Sequence, residues 1–282
     1  MENFVISNPD KLESLKKIFF EGKAVKMHVL ADFDRTLTTA FVGGKSVPSL
    51  ISILRDGNYL TPDYAGKANA LYTKYHSIEI DPKVPYKEKK KMMQEWWMTH
   101  FDLLIGSKLN KKDLEKVVAS GKIRLREGFK DFIDFLHLGR IPLVIISSSG
   151  TGGDAISMYL EKECELCDNI YIISNSYEWD ENGNAISIKQ PIIHVMNKDE
   201  TSIRDYPFFD VIKDRKNVLL LGDSLGDTDM VKGFEYDNLI KIGFLNENVE
   251  ENLELYKRNY DVVILNDSSL KYVNDLLIEL VE

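Results

Sequence analysis

Short apolar runs that each end in a burst of polar residues constrain this chain more than any other feature. Met27-His28-Val29-Leu30-Ala31 leads into Asp32-Phe33-Asp34-Arg35-Thr36, Ile141 to Ile146 ends in Ser147-Ser148-Ser149-Gly150, and Val218 to Leu221 ends in Gly222-Asp223-Ser224. Runs this brief and this apolar read as strands buried on both faces. Ile170 to Ile173, Leu239 to Ile242 and Val262 to Leu265 are further candidates, and Ile192 to Asn197 reads as another ahead of Lys198. Helical patterns lie between them, around 127–138, 151–163 and 268–281. The alternation predicts an α/β fold with a doubly wound parallel sheet, whose ligand site lies outside the carboxyl ends of the strands.

The pattern breaks between about Gly44 and Arg126, where strand-like runs vanish and charged helical stretches such as Tyr86 to Leu104 and Lys111 to Ala119 take over. The chain is therefore expected to divide into a discontinuous core, 1–43 and 126–282, and an inserted helical cap, 44–125. Two local signals are clear. Asn8-Pro9-Asp10 starts a helix with a cap residue, a first-turn proline and an acid at the positive dipole end, and Gly22 is expected to stop it. Asp180-Glu181-Asn182-Gly183-Asn184 is a turn between Tyr177-Glu178-Trp179 and Ala185-Ile186-Ser187-Ile188, which predicts a hairpin.

Composition removes several function classes. With 282 residues, 44% of them hydrophobic, a core of ordinary size is available. The formal charge of -9 gives no overall field to gather nucleic acid or an anionic membrane, so an anionic substrate needs a local positive site. Met1-Glu2-Asn3 opens without a basic stretch leading into an apolar one, and no apolar run approaches the roughly 20 residues that span a bilayer. A cytoplasmic protein, and a monomer, is the expectation. Cys164 and Cys167 form a lone C-x-x-C without the further ligands a zinc site needs, and read as ordinary packing.

The polar bursts carry a coherent chemistry. Phosphate monoester hydrolysis needs a nucleophile, a proton donor for the leaving oxygen, and cations that offset charge on the phosphoryl oxygens. Asp32 and Asp34 sit two apart, so on an extended segment both can face one pocket, and Asp223 and Asp227 come from a second strand end. So many carboxylates together require a hard cation, and oxygen ligands of this kind suit magnesium. Lys198 and Ser148 would hold the phosphoryl oxygens from the other side, with backbone N–H groups after Gly150. Asp-x-Asp-x-Thr alone is a weak signal; the ordered series of Asp-x-Asp-x-Thr, Ser, Lys and Gly-Asp-Ser-x-Gly-Asp is a strong one.

These four segments resemble the four motifs of the haloacid dehalogenase superfamily in its phosphatase branch, which has a Rossmann-like core. More closely the chain resembles the cytosolic 5'-nucleotidase III, or pyrimidine 5'-nucleotidase, family. The likeness runs through Asp32 to Thr38, Ile78-Glu79-Ile80-Asp81-Pro82, Glu95-Trp96-Trp97, Leu125-Arg126-Glu127-Gly128, Asp180 to Gly183, His194 to Lys198 and Leu220 to Ser224. It implies that Asp32 attacks phosphorus to form an aspartyl-phosphate, while Asp34 protonates the leaving oxygen and then activates water. It further implies magnesium held by Asp32, the Asp34 backbone carbonyl and Asp223, with Asp227 supporting, and phosphate held by Ser148, Ser149 and Lys198. The family shows Ser-Ala-Gly followed by a residue, Gly and Asp; here Ser148 to Asp154 carries one residue more, which keeps Ser147 as a third candidate.

The cap would exclude water and read the rest of the substrate. By the resemblance Glu95 accepts hydrogen bonds from the base, Trp97 or Trp96 stacks on it, and Phe41 forms another wall. The two tryptophans equally suit core packing of the cap. The expected activity is hydrolysis of nucleoside 5'-monophosphates, UMP and CMP ahead of 7-methyl-GMP or another small phosphate ester. A phosphotransferase or mutase on the same scaffold, and a binding module without catalysis, are the competing readings. His194 is expected beside the Lys198 loop as a strand residue.

Overall fold

Strand formation follows the apolar runs closely in the computed structural model, which describes residues 3–81, 83–164, 167–198, 206–233 and 235–282. Met1 and Glu2 of the N-terminal stretch and Pro82 of the 78–82 segment lie outside them. The strands are β1 (Phe4–Ile6), β2 (Met27–Ala31), β3 (Phe41–Val42), β4 (Lys45–Ser46), β5 (Leu143–Ile146), β6 (Ile170–Ile173), β7 (Tyr177–Trp179), β8 (Ala185–Ile188), β9 (Asn217–Gly222), β10 (Asn238–Leu245) and β11 (Val262–Leu265). Seven of them form one sheet in the order β1-β11-β10-β9-β2-β5-β6, parallel throughout except for β1 at its edge. The β7–β8 pair is the hairpin expected around Asp180 to Asn184, with the Asp180 carboxylate accepting from the amides of Asn182 and Asn184.

Along each central strand alternate residues enter opposite hydrophobic clusters: Val29, Leu143 and Leu219 on one face, Leu30, Val144 and Leu220 on the other. Helices α1 (Pro9–Gly22), α6 (Phe129–Leu138), α7 (Gly152–Glu163) and α10 (Lys271–Val281) cover the first face through residues such as Leu12, Phe132, Ile156 and Leu277. The short α8 (Phe209–Ile212), the 225–233 turn and α9 (Val249–Asn259) cover the second. Coverage on both sides is why these strands read as continuous apolar runs. Each fully buried Val, Leu or Ile in them is worth about 1.5–3 kcal/mol, so a charge at Leu30 or Leu220 would unfold the sheet's centre.

Between β4 and α6 the chain is helical: α2 (Leu50–Asp56), α3 (Tyr64–Ile80), α4 (Tyr86–Gly106) and α5 (Lys111–Ala119). Leu50, Leu54, Phe101, Leu104 and Leu114 belong to the same cluster as the sheet's first face, so this end of the helical segment is fused to the core. Tyr75, Met93 and Trp96, toward the α3–α4 connection, form a small cluster of their own, with Met196 packed against it. The β3–β4 hairpin straddles residue 44, where strand-like structure was expected to have ended.

The first helix ends at Gly22, but the positive φ of 52° falls on the next residue, Lys23. Gly22 is small for packing, since a Cβ there would come within 2.6 Å of the Asn217 side chain. The 192–197 run makes no strand. The side chain of Asn175 takes both the amide of Ile193 and its carbonyl, at 2.8 and 2.9 Å, in place of a neighbouring strand. His194 therefore lies in a turn, its amide donating to Asn197 at 2.7 Å.

Candidate active site

Register explains why the polar bursts meet. Ala31 of β2 is level with Leu221 of β9 on one side and Ile145 of β5 on the other. The residues that follow all three parallel strands emerge at one edge of the sheet, where the strand order switches sides about β2, β5 and β6 lying on one side and β9 and β10 on the other. The amide of Asp32 donates to the carbonyl of Leu221 at 3.0 Å, which ties the first motif to the last.

Lys198 is the hub of what assembles there. Its ammonium lies 2.6 Å from Asp32 Oδ1 and 2.7 Å from Asp227 Oδ1, and all three side chains are buried. The other oxygen of Asp227 accepts from the amides of Asp223 and Ser224 at 3.1 and 2.9 Å and from the Ser224 hydroxyl at 2.8 Å. Gly222 permits that turn, because a Cβ there would sit 2.4 Å from the Cβ of Asp227. Asp32, Asp223 and Asp227 each bring a carboxylate oxygen within 4.8 Å of the others, a grouping able to hold a metal ion.

The electrostatics are those of a crowded, dehydrated acid cluster. Burial pushes the Asp32 carboxyl up to about 7; Lys198 pulls against it, and Asp227 and Asp34 add to it. Burial, Asp227 and Asp32 push Asp223 well above the usual carboxylate range. Asp34 is half-buried and rises to about 6, by burial against the pull of Lys198 and Arg35. Burial pulls the Lys198 ammonium down, but Asp227 and Asp32 outweigh it and hold the group above its ordinary value. Three carboxylates against one ammonium leave excess negative charge that a divalent cation would offset.

The serines after β5 separate by occupation. Ser147 Oγ accepts from the amide of Ser149, and Ser149 Oγ bonds Thr151 Oγ1 at 2.8 Å. Ser148 is half-buried and, among the described residues, its hydroxyl has no hydrogen-bond partner, as is true of the Asp34 carboxylate. Trp97 packs directly on Gly150, where a Cβ would meet its ring at 2.6 Å, and its ring also neighbours those of Trp96, His100 and Phe101. Trp96 is interior, stacked on Tyr75 at 5.8 Å between ring centroids.

The residues expected around a base are less gathered. Glu95 stands exposed on α4, its carboxylate taking the Tyr75 hydroxyl at 2.5 Å with Lys74 at 3.5 Å, and the Tyr75 hydrogen bond first, then Lys74, hold it below its ordinary value. Phe41 lies on the β3–β4 hairpin with the Arg35 guanidinium 5.8 Å from its ring. Glu79, given no role by sequence reasoning, lines a cavity of about 590 Å³ together with Arg35, Asp223, Ser224 and Tyr256. Its carboxylate bonds His76 Nδ1 at 2.9 Å. Two tyrosines were missed as well. Tyr256 donates to the carbonyl of Asp223 at 2.6 Å and Tyr260 to that of Ser224, a spacing of four along and just past α9 that holds the 223–224 turn. Arg126, which the sequence marks only as part of a resembling segment, is the largest fully buried side chain among the described residues.

The Pyrimidine 5'-nucleotidase (UMPH-1) family matches residues 35–281. A 7-methylguanosine phosphate-specific 5'-nucleotidase A of Xenopus laevis is 34% identical over 271 residues, covering 96% of this chain and 93% of its own. The 7-methylguanosine phosphate-specific 5'-nucleotidase of Homo sapiens is 34% identical over 274 residues, covering 97% and 91%. The crystal structure of cytosolic 5'-nucleotidase IIIB (cN-IIIB) bound to cytidine superposes with a TM-score of 0.89 at 27% identity, covering 99% of this chain and 93% of that one. With relatives about one-third identical along nearly its whole length, the chain belongs to the pyrimidine 5'-nucleotidase (UMPH-1) family, phosphoric monoester hydrolases of 5'-nucleotidase type on the haloacid dehalogenase fold.

Proposed function

We propose that this chain hydrolyses nucleoside 5'-monophosphates to nucleoside and phosphate, with Mg2+, through an aspartyl-phosphate on Asp32. The observation that carries this reading is the convergence of Asp32, Asp223 and Asp227, which follow the adjacent strands β2 and β9, on Lys198 from the loop after residue 192. Asp32 and Asp223, with the Asp34 backbone carbonyl, would hold the cation. Asp227, whose oxygens are already engaged by Lys198 and the 223–224 turn, would support them. When bound, the cation offsets charge on the phosphoryl oxygens.

In this mechanism Lys198 and the uncommitted hydroxyl of Ser148 hold the phosphoryl group, with Ser149 shaping the loop through Thr151. Asp32 Oδ attacks phosphorus in line with the departing 5'-oxygen. Asp34, whose proton is retained to about pH 6, delivers it to that oxygen and then takes one from the water that attacks the aspartyl-phosphate. Residues 44–125 act as a cap over a core of 1–43 and 126–282, with the α3–α4 tip reading the base. Trp97 and Phe41 are candidate walls, and a cytoplasmic monomer is part of the same reading. Among the described residues no helix is long and apolar enough to cross a membrane.

Glu79 rather than Glu95 is the acid we assign to the base, because it shares a cavity wall with Asp223. A carboxylate accepts from N–H donors: the amino group of cytosine, or the paired N1–H and N2–H of 7-methylguanine. Uracil offers a single N–H. CMP and 7-methyl-GMP are therefore favoured over UMP, in keeping with the cytidine and 7-methylguanosine phosphate named for the similar proteins. The test is phosphate release from CMP, UMP, 7-methyl-GMP, AMP and sugar phosphates, with and without Mg2+. Magnesium-dependent release from CMP or 7-methyl-GMP is expected. Release from sugar phosphates alone would overturn the nucleotide reading, and phosphoryl transfer to an added nucleoside in place of water would favour a phosphotransferase.

A further inference from the structure

The backbone immediately after Asp34 is held by one buried arginine. Arg126 is 1% exposed, and its guanidinium donates to the carbonyl of Thr36 and that of Ser268 at 2.7 Å, to that of Arg35, to that of Thr38 at 3.2 Å and to Asn246 Oδ1 at 3.1 Å. Asp267 pairs with it at 3.0 Å and also accepts from the amides of Ala40 and Phe41 at 2.8 and 2.9 Å. Asn246 returns a hydrogen bond to the Arg35 carbonyl at 3.0 Å. The ring of Phe244 lies under the guanidinium at 4.4 Å.

The segment so held is one that would not hold itself. Arg35 has a φ of +61° and Asp34 is extended inside an otherwise helical turn, a backbone that side-chain-bearing residues keep only when their surroundings impose it. Arg126 also stands where the helical insert rejoins the core: its amide donates to the Leu37 carbonyl at 2.9 Å, and Leu125 bridges to Thr38. Outgoing and returning strands of the insert are thus fastened at one point.

We infer that Arg126, locked by Asp267 and Asn246, is a positioning residue for Asp34: by gripping the carbonyls one and two residues beyond it, the guanidinium aims the Asp34 carboxylate at the leaving oxygen. The inference rests on the acid role proposed for Asp34. A buried guanidinium is costly to desolvate, and an apolar residue could fill the same volume. Only the arginine's forked donors can grip several carbonyls of one turn.

The test compares kcat/KM, which reports phosphoryl transfer to Asp32, on CMP and on p-nitrophenyl phosphate, whose leaving group needs no proton. Arg126→Lys is expected to lower the value for CMP by about 30- to 100-fold, as for an acid displaced by about 1 Å. The value for p-nitrophenyl phosphate should fall less than about threefold, and the Mg2+ concentration at half-maximal thermal shift should stay put. Asn246→Ala should give the same split, smaller, and serves if Arg126→Lys does not fold. Equal losses on both esters, or no loss on CMP, overturn the inference. Asp34→Asn separates the two levels. If it too affects both esters equally, the acid role falls and this inference with it; if it splits them and the Arg126 and Asn246 variants do not, the inference alone falls.

Discussion

The strand-end site and the α3–α4 tip are built on opposite plans. At the strand ends the buried charges are interlocked: Lys198 bridges two aspartates, and Asp227 accepts from three donors of the 223–224 turn. At the tip the cluster is small, Tyr75, Met93 and Trp96, and the acids are exposed or half-buried and bonded to side chains on the same helix pair. A buried network over-determines geometry, which suits the phosphoryl chemistry. A lightly attached tip can change its contacts without disturbing that chemistry, which suits recognition of different bases.

Breaking the buried plan should have the largest effect. Lys198→Met leaves two buried carboxylates without their shared cation, and is expected to cost about 3–5 kcal/mol of stability besides lowering kcat/KM by about a thousandfold or more. Urea unfolding and phosphate release measure the two. A smaller effect comes from pH in the metal-free protein. Asp32 and Asp34 are raised from the ordinary value of 3.8 to about 7 and about 6, so the folded state binds more protons than the unfolded state between those limits. Their contribution to stability is complete below about pH 4 and is lost as pH rises through 6 and 7. The thermal midpoint without metal should therefore fall from pH 5 to pH 8. Added Mg2+ should restore it at pH 8 and do little at pH 5.

The tip should give milder, substrate-selective losses. Glu79→Ala is expected to raise KM for CMP or 7-methyl-GMP by about tenfold and leave p-nitrophenyl phosphate nearly unchanged. Glu95→Ala in parallel decides which acid reads the base. The smallest effect belongs to Tyr75→Phe, which removes a hydrogen bond to an exposed carboxylate and should alter KM by no more than about two- to threefold.

What the sequence disclosed divides along the same line. Strands β2, β5 and β9 and their polar ends were legible because burial on both faces demands unbroken apolar runs, and because motif chemistry sits at fixed offsets from them. The run at Ile192–Ile193 looked the same and is not a strand, since its polar partner is one asparagine side chain from residue 175. Helix α9 escaped notice because none of its residues is fully buried. Arg126, Tyr256 and Tyr260 make their contacts with residues remote in sequence, Glu79 is related to Asp223 only by a shared cavity, and no spacing rule connects position 126 to 246 and 267.

The most direct test is to mix the protein with CMP and Mg2+, quench in acid within the first turnover, and map the phosphoryl group by mass spectrometry. The account predicts phosphate on the peptide containing Asp32, and neither adduct nor turnover in Asp32→Asn. Turnover by Asp32→Asn comparable with the native protein, or a phosphoryl group trapped on a different residue, would contradict it.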